Sequence, residues 1–201
     1  VRFLLPEAVF RVVHVQLDAS WAERQTHAQY PPAATELLGQ ALAASALLTG
    51  HVKVDGRLSL TLRSPSDLHT LFAECTSAGT VRGLVRLAEG RDAPRQLNAL
   101  GDQAMLAMTI ENPGLDPREP QRYQSLINLD AVSLDGALED YFRRSEQLPT
   151  RLLLTADGNG IAGLMLQKLP GDEGDSDGWN RACARFDTLG QAELATTQAE
   201  T

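Results

Sequence analysis

Leu134–Arg151, LDGALEDYFRRSEQLPTR, carries the clearest local code in the chain. Leu134, Ala137, Leu138, Tyr141 and Phe142 recur at i, i+3, i+4, i+7 and i+8, which puts them on one face of a helix. On the other face Glu139 precedes Arg143 and Asp140 precedes Arg144 by four residues, the favourable acid-before-base order, so two ion pairs are expected there. Ser133 stands at the N-cap position, and Pro149 forbids continuation. The stretch reads as an amphipathic helix feeding a strand that begins near Arg151. That fixes a helix packed on a sheet and names no chemistry.

Upstream, Glu7 to Gln16 alternates as a strand with one wet side. Ser20 and Glu23 have capping-box spacing and predict a short helix from Trp21 to about Ala28. Pro32 suits the first position of a second helix, Ala33 to Thr49, closed by Gly50. Its leucines and alanines leave few polar positions, and a helix apolar nearly all round belongs between layers. Asp55-Gly56, between His51–Val54 and Arg57–Arg63, predicts a two-residue hairpin with Leu58, Leu60 and Leu62 facing inward. Further strands are expected at 68–75, 81–87, 104–110, 123–129, 151–155 and 161–169. The proline-rich stretch Asn112 to Pro120 reads as a surface loop. The class is α+β: mostly antiparallel sheets around a buried Ala/Leu-rich helix, followed by a partly helical C-terminal linker.

At Pro170 the composition changes. Residues 171–201 set seven acids, among them Asp172, Glu173, Asp175 and Asp187, against Arg181 and Arg185. This reads as a weakly anchored acidic segment, helical in places from Trp179 onward. The expected division is a core domain at 1–170 and a linker region at 171–201. Trp179, Phe186, Leu189 and Leu194 have no core of their own there. They either dock back on the main domain or, when released, uncover a sticky surface that grips another protein.

A net charge of −8 argues against a nucleic-acid binder, which needs a basic face, and against docking on anionic lipid. No apolar run approaches the roughly 20 residues of a membrane span, and no signal-peptide pattern is present, although the chain starts at Val1. The two cysteines, Cys75 and Cys183, form no disulfide framework, so a reducing cytoplasm is expected. Four isolated histidines show no metal spacing, and no GxSxG elbow is present. Asp157-Gly158-Asn159-Gly160 lacks the later ligands of a calcium loop and reads as a turn. Nothing in the sequence marks a catalytic residue or a metal ligand.

The strings Glu139-Asp140-Tyr141-Phe142 and Ser145-Glu146-Gln147-Leu148-Pro149-Thr150-Arg151 resemble the signature of the heat shock protein 33 family of redox-regulated chaperones. So do Tyr30-Pro31-Pro32 through Leu37-Leu38-Gly39-Gln40 to Asp55-Gly56, Val81–Arg86, and Gly163–Pro170, in the same order along nearly the whole chain. At Ser64–Asp67 this sequence departs from the family's glycine-rich turn. The resemblance implies a cytoplasmic, ATP-independent holdase that binds unfolding proteins under oxidative and heat stress, acts as a homodimer open to exchange of elements between chains, and is no enzyme. It also implies a C-terminal module whose four cysteines hold Zn²⁺ when reduced and form two disulfides when oxidised, unfolding the linker. Neither Cys75 nor Cys183 matches one of those four cysteines. The expectation is therefore a chaperone core and partial linker, without the redox switch and with constitutive client binding. The competing classes are a small-ligand enzyme with a pocket rimmed by Pro94–Gly101 and the proline-rich loop, and a purely structural assembly domain.

Overall fold

In the computed structural model, residues 2–4, 10–17, 30–52, 54–113, 120–157, 160–169 and 176–196 are described. Strands β1 (Arg2–Leu4), β2 (Phe10–Gln16), β8 (Thr150–Ala156) and β9 (Ile161–Lys168) form one antiparallel sheet in the order β1-β2-β9-β8. Strands β3 (Arg57–Arg63), β4 (Leu68–Thr76), β5 (Val81–Leu87), β6 (Met105–Asn112) and β7 (Gln121–Ile127) form a second, ordered β5-β4-β3-β6-β7. Helix α1 (Pro32–His51) touches strands of both sheets. The α+β class and the buried central helix expected from the sequence are both present. The short helix expected at Trp21–Ala28 falls outside the described residues.

From Ala41 to Thr49 helix α1 is buried on every side, and Leu38, Leu42, Leu47 and Leu48 are at most 1% exposed. Each leucine taken out of water is worth about 1.5–3 kcal/mol, so this helix is the main apolar anchor of both sheets. Two strand glycines let the sheets come close: a Cβ on Gly83 would lie 2.9 Å from Leu38 Cδ1, and one on Gly163 would lie 2.6 Å from Leu47 Cδ1. The helix opens on Pro32 as expected, but Pro31 has no side chain to cap it. Asp92 does so instead, its carboxylate accepting the Ala33 and Ala34 N–H groups at 3.1 and 2.9 Å. At the other end Gly50 stays helical, and the chain leaves only at Val52, which is extended.

Other expectations are corrected. Asp55-Gly56 is no hairpin: the residues before it end α1, and β3 pairs with β4 and β6. Gly56 is needed because a Cβ there would lie 2.0 Å from the Glu111 carbonyl oxygen, a close backbone crossing rather than a turn. Strand β2 has no fully wet side, since Val13 faces the core and His14, on the opposite face, is also buried. At Ser64–Asp67 a hydroxyl network replaces glycine: Ser64 Oγ donates to Leu68 O at 2.9 Å and accepts the Ser66 N–H at 3.1 Å.

Candidate functional site

The signature helix α2 runs from Leu134 to Tyr141 and continues as one π-turn through Glu146. Ser133 caps it, its hydroxyl accepting the Gly136 N–H at 3.4 Å. Leu134, Ala137, Leu138, Tyr141 and Phe142 are all buried, as their spacing requires. The wide turn ends at Gln147, which adopts φ 55, two residues before Pro149. The Leu148 N–H then bonds the Phe142 carbonyl at 3.0 Å, closing the joint between helix and strand.

Within this joint the polar signature residues hold structure. Glu139 does not pair with Arg143. Its carboxylate accepts the Leu152 N–H at 2.7 Å and an Arg151 Nη1 hydrogen bond at 3.0 Å. That backbone N–H lies on the free edge of β8, so the side chain turns inward to satisfy it. Burial pushes the Glu139 pKa up, against the pull of Leu152 and Arg151. Asp140 pairs with Arg143 and, at 3.5 Å, with Arg144, which matches one of the two ion pairs read from the sequence. The Tyr141 hydroxyl donates to Glu146 Oε1 at 2.8 Å and lies 3.0 Å from Ser125 Oγ, tying the helix to β7. Thr150 accepts a hydrogen bond from Gln167 Nε2 at 3.0 Å inside the sheet. Ser145 is exposed on the turn.

Arg151 joins this frame to the C-terminal segment. In β8 its register partner is Leu166, on the face turned away from Gly163 and α1. Two further helices lie against β8 and β9: α3 (Ser176–Phe186) and α4 (Gln191–Thr196). Arg151 also bonds Asp187, just after α3, and its guanidinium stands 6.0 Å from the Phe186 ring centroid. Gln191 Nε2 donates to the Leu154 carbonyl at 3.3 Å, fixing the start of α4 at the sheet edge. Phe186 and Leu194 are 7% and 5% exposed, Trp179 is half-buried, and Leu189 is exposed. The structure thus brings Phe186 and Leu194 onto the sheet and leaves Leu189 outside. Ala162 and Leu166, on the same outer face, are only 1% and 4% exposed.

Chemistry elsewhere is sparse. Cys75 is buried inside β4, as expected of a small apolar residue, and burial raises its pKa. Cys183 sits on α3, half-buried, and burial raises its pKa too. Two thiols on separate elements do not fit a four-cysteine zinc site, and among the described residues no group of three potential ligands converges. A cavity of about 190 Å³ is lined by Glu36, Gln40, Pro94, Arg95 and Ser133, and the Ser133 hydroxyl there is taken up by the helix cap and by the Asp135 carboxylate. Among the described residues no helix is long and apolar enough to cross a membrane.

A family model described as Hsp33 protein matches residues 1–201. The 33 kDa chaperonin of Azotobacter vinelandii is 40% identical over 206 residues, covering 100% of this chain and 68% of its own length. That of Nitrosococcus oceani is 40% identical over 193 residues, covering 96% and 65%. The chain spans about two thirds of the length of these relatives. The crystal structure of the 33 kDa chaperonin (heat shock protein 33 homolog) of Thermotoga maritima matches at a TM-score of 0.72 and 20% identity, over 99% of this chain and 70% of that one. That likeness is one of fold. Relatives and fold together place the chain among chaperones. More narrowly, it belongs to the Hsp33 family.

Proposed function

We propose that this chain is the client-holding body of an ATP-independent holdase, and that α3 and α4 are a reversible cover over its binding face. The observation that carries this is the burial of Phe186 and Leu194 on the outer face of the four-stranded sheet. Helices of eleven and six residues are too short to persist alone in water, where about 12–15 residues are needed even for good formers. Their order therefore depends on docking, and undocking exposes apolar sheet and apolar helix together. Such a surface binds unfolding chains broadly, without catalytic residues. Residues 1–170 act as the core and 171–201 as the linker.

The redox side of the reading concerns the whole protein. We place the zinc-binding four-cysteine module, and the stress response it confers, in the portion of the longer relatives that these 201 residues do not span. The active protein is a homodimer in the cytoplasm. Within the chain, Cys75 and Cys183 lie on different elements and both have raised thiol pKa values, which slows oxidation. Client holding by this chain is accordingly insensitive to peroxide. Light scattering from a thermally unfolding client tests it: Phe186→Asp should increase protection, and peroxide should leave protection unchanged. A peroxide-dependent rise, or loss of protection in Phe186→Asp with the core intact, would overturn the reading.

A further inference from the structure

The five-stranded sheet also has an outer face, and strand register orders it into rows. Leu58, Leu60 and Leu62 point to the core, so their neighbours Arg57, Ser59, Thr61 and Arg63 point out. Following the register from Thr61 gives a row across all five strands: Leu84, Phe72, Thr61, Ala107 and Leu126. Leu84 and Leu126 are 37% and 62% exposed. Met105, in the neighbouring row, is 53% exposed and widens the stripe at one end.

The rows beside this stripe carry more arginine than acid. On one side lie Arg86, Thr70 and Arg63 in register. Arg63 and Arg86 are exposed, and neither makes a salt bridge with a described residue. On the other side three arginines face two glutamates. Arg82 pairs with Glu74 at 2.7 Å, and Glu111 is held between Arg57 and, at 2.6 Å, Arg122. Arg82 also lies over the Phe72 ring at 5.8 Å. The face therefore has a positive surplus in a chain whose net charge is −8.

From this geometry we propose that the outward face of the five-stranded sheet is a docking surface for an acidic, apolar segment of another polypeptide. Charge complementarity selects the occupant: carboxylates can reach Arg63 and Arg86 without displacing a partner, while apolar side chains lie along Leu84, Phe72 and Leu126. Five strands spaced about 4.8 Å apart give a stripe about 19 Å long, the reach of roughly six extended residues. This site does not rest on the cover formed by α3 and α4, because it lies on the other sheet and is open while they are docked.

The test uses the 201-residue chain and two short fluorescein-labelled peptides with the same leucines and phenylalanines, one carrying glutamates and the other lysines. Fluorescence anisotropy should show the glutamate peptide binding about tenfold more tightly at low salt, with the difference shrinking as salt is added. The double variant Arg63→Gln/Arg86→Gln should remove most of that preference, and Leu84→Ser/Leu126→Ser should weaken both peptides. Both variants change exposed side chains, and an unchanged circular-dichroism melt confirms that they fold. Equal binding of the two peptides, or an unaltered preference in the arginine variant, overturns the proposal. So does sedimentation velocity in which the leucine variant converts a dimer to a monomer while peptide binding stays the same, since the face would then join two copies of this chain. Protection by Phe186→Asp is read separately, so failure of the cover leaves this result standing.

Discussion

The two sheets share one helix and differ in what lies on their outer faces. On the four-stranded sheet Ala162 and Leu166 point away from α1, yet only 1% and 4% of their surface is exposed, because short helices lie across β8 and β9. On the five-stranded sheet Leu84 and Leu126 occupy the equivalent side and remain open. The covered face is mainly apolar, and the open face is apolar in the middle with arginine on either side. Water tolerates the second arrangement because charged neighbours break up the apolar patch, whereas a wider unbroken patch calls for a cover. The contrast teaches that one core can present a permanent surface and a conditional one.

The strongest way to break the contrast is to remove what the two sheets share. Leu47→Ala leaves a cavity at the centre and should cost about 2–5 kcal/mol. Urea denaturation would measure the loss, and hydrogen exchange should rise in β3 and β9 together; a loss confined to one sheet would mean that α1 does not couple them. Next in size is Phe186→Asp, which should undock α3 and raise binding of an apolar dye several-fold while the core strands keep their exchange protection. Leu126→Ser, on the open face, should not raise dye binding at all.

Arg151→Met should loosen the cover by less, about 1 kcal/mol, because its two carboxylate partners meet a guanidinium that is 38% exposed. Limited proteolysis between 176 and 196 would report it as faster cleavage with an unchanged core. The smallest effect concerns acid. Hydrogen bonds from Arg122 and then Arg57 hold the Glu111 pKa below its usual 4.5. A depressed folded-state pKa means that Glu111 adds stability above the unfolded value and loses it as pH falls through and below the ordinary carboxylate range. Melting temperature should decline less steeply in that range for Glu111→Gln. Glu139, raised by burial, has the opposite sign and offsets part of this decline.

Much of this architecture is legible in the residues alone, and the limits follow a pattern. Ser133, the apolar face of α2 and the inward leucines of β3 are local codes, set by residues within a turn or two of each other, and the structure keeps all three. What the sequence misleads on depends on distant partners. Asp55-Gly56 looks the same whether its glycine makes a turn or admits the Glu111 backbone, far along the chain. Glu139 has a well-placed arginine four residues on, but a buried N–H on β8 binds it instead. The Asp92 cap on α1 and the arginine rows of the open face appear only once strand register is known. Phe186 and Leu194 stand out because an acidic segment offers them no partners of its own, which names the residues without naming the sheet they meet.

The pairing of β2 with β9 has a consequence for how the molecule is made. Phe10 finds its neighbour in Lys168, so the first long strand waits for almost the entire core to leave the ribosome. The five-stranded sheet closes on segments much nearer in sequence and is free to assemble while synthesis continues. Until β9 arrives, α1 has only one of its two walls. A protein of this family is thus, for part of its own birth, an unfinished chain with an exposed apolar side, in the same condition as the molecules its relatives are named for tending.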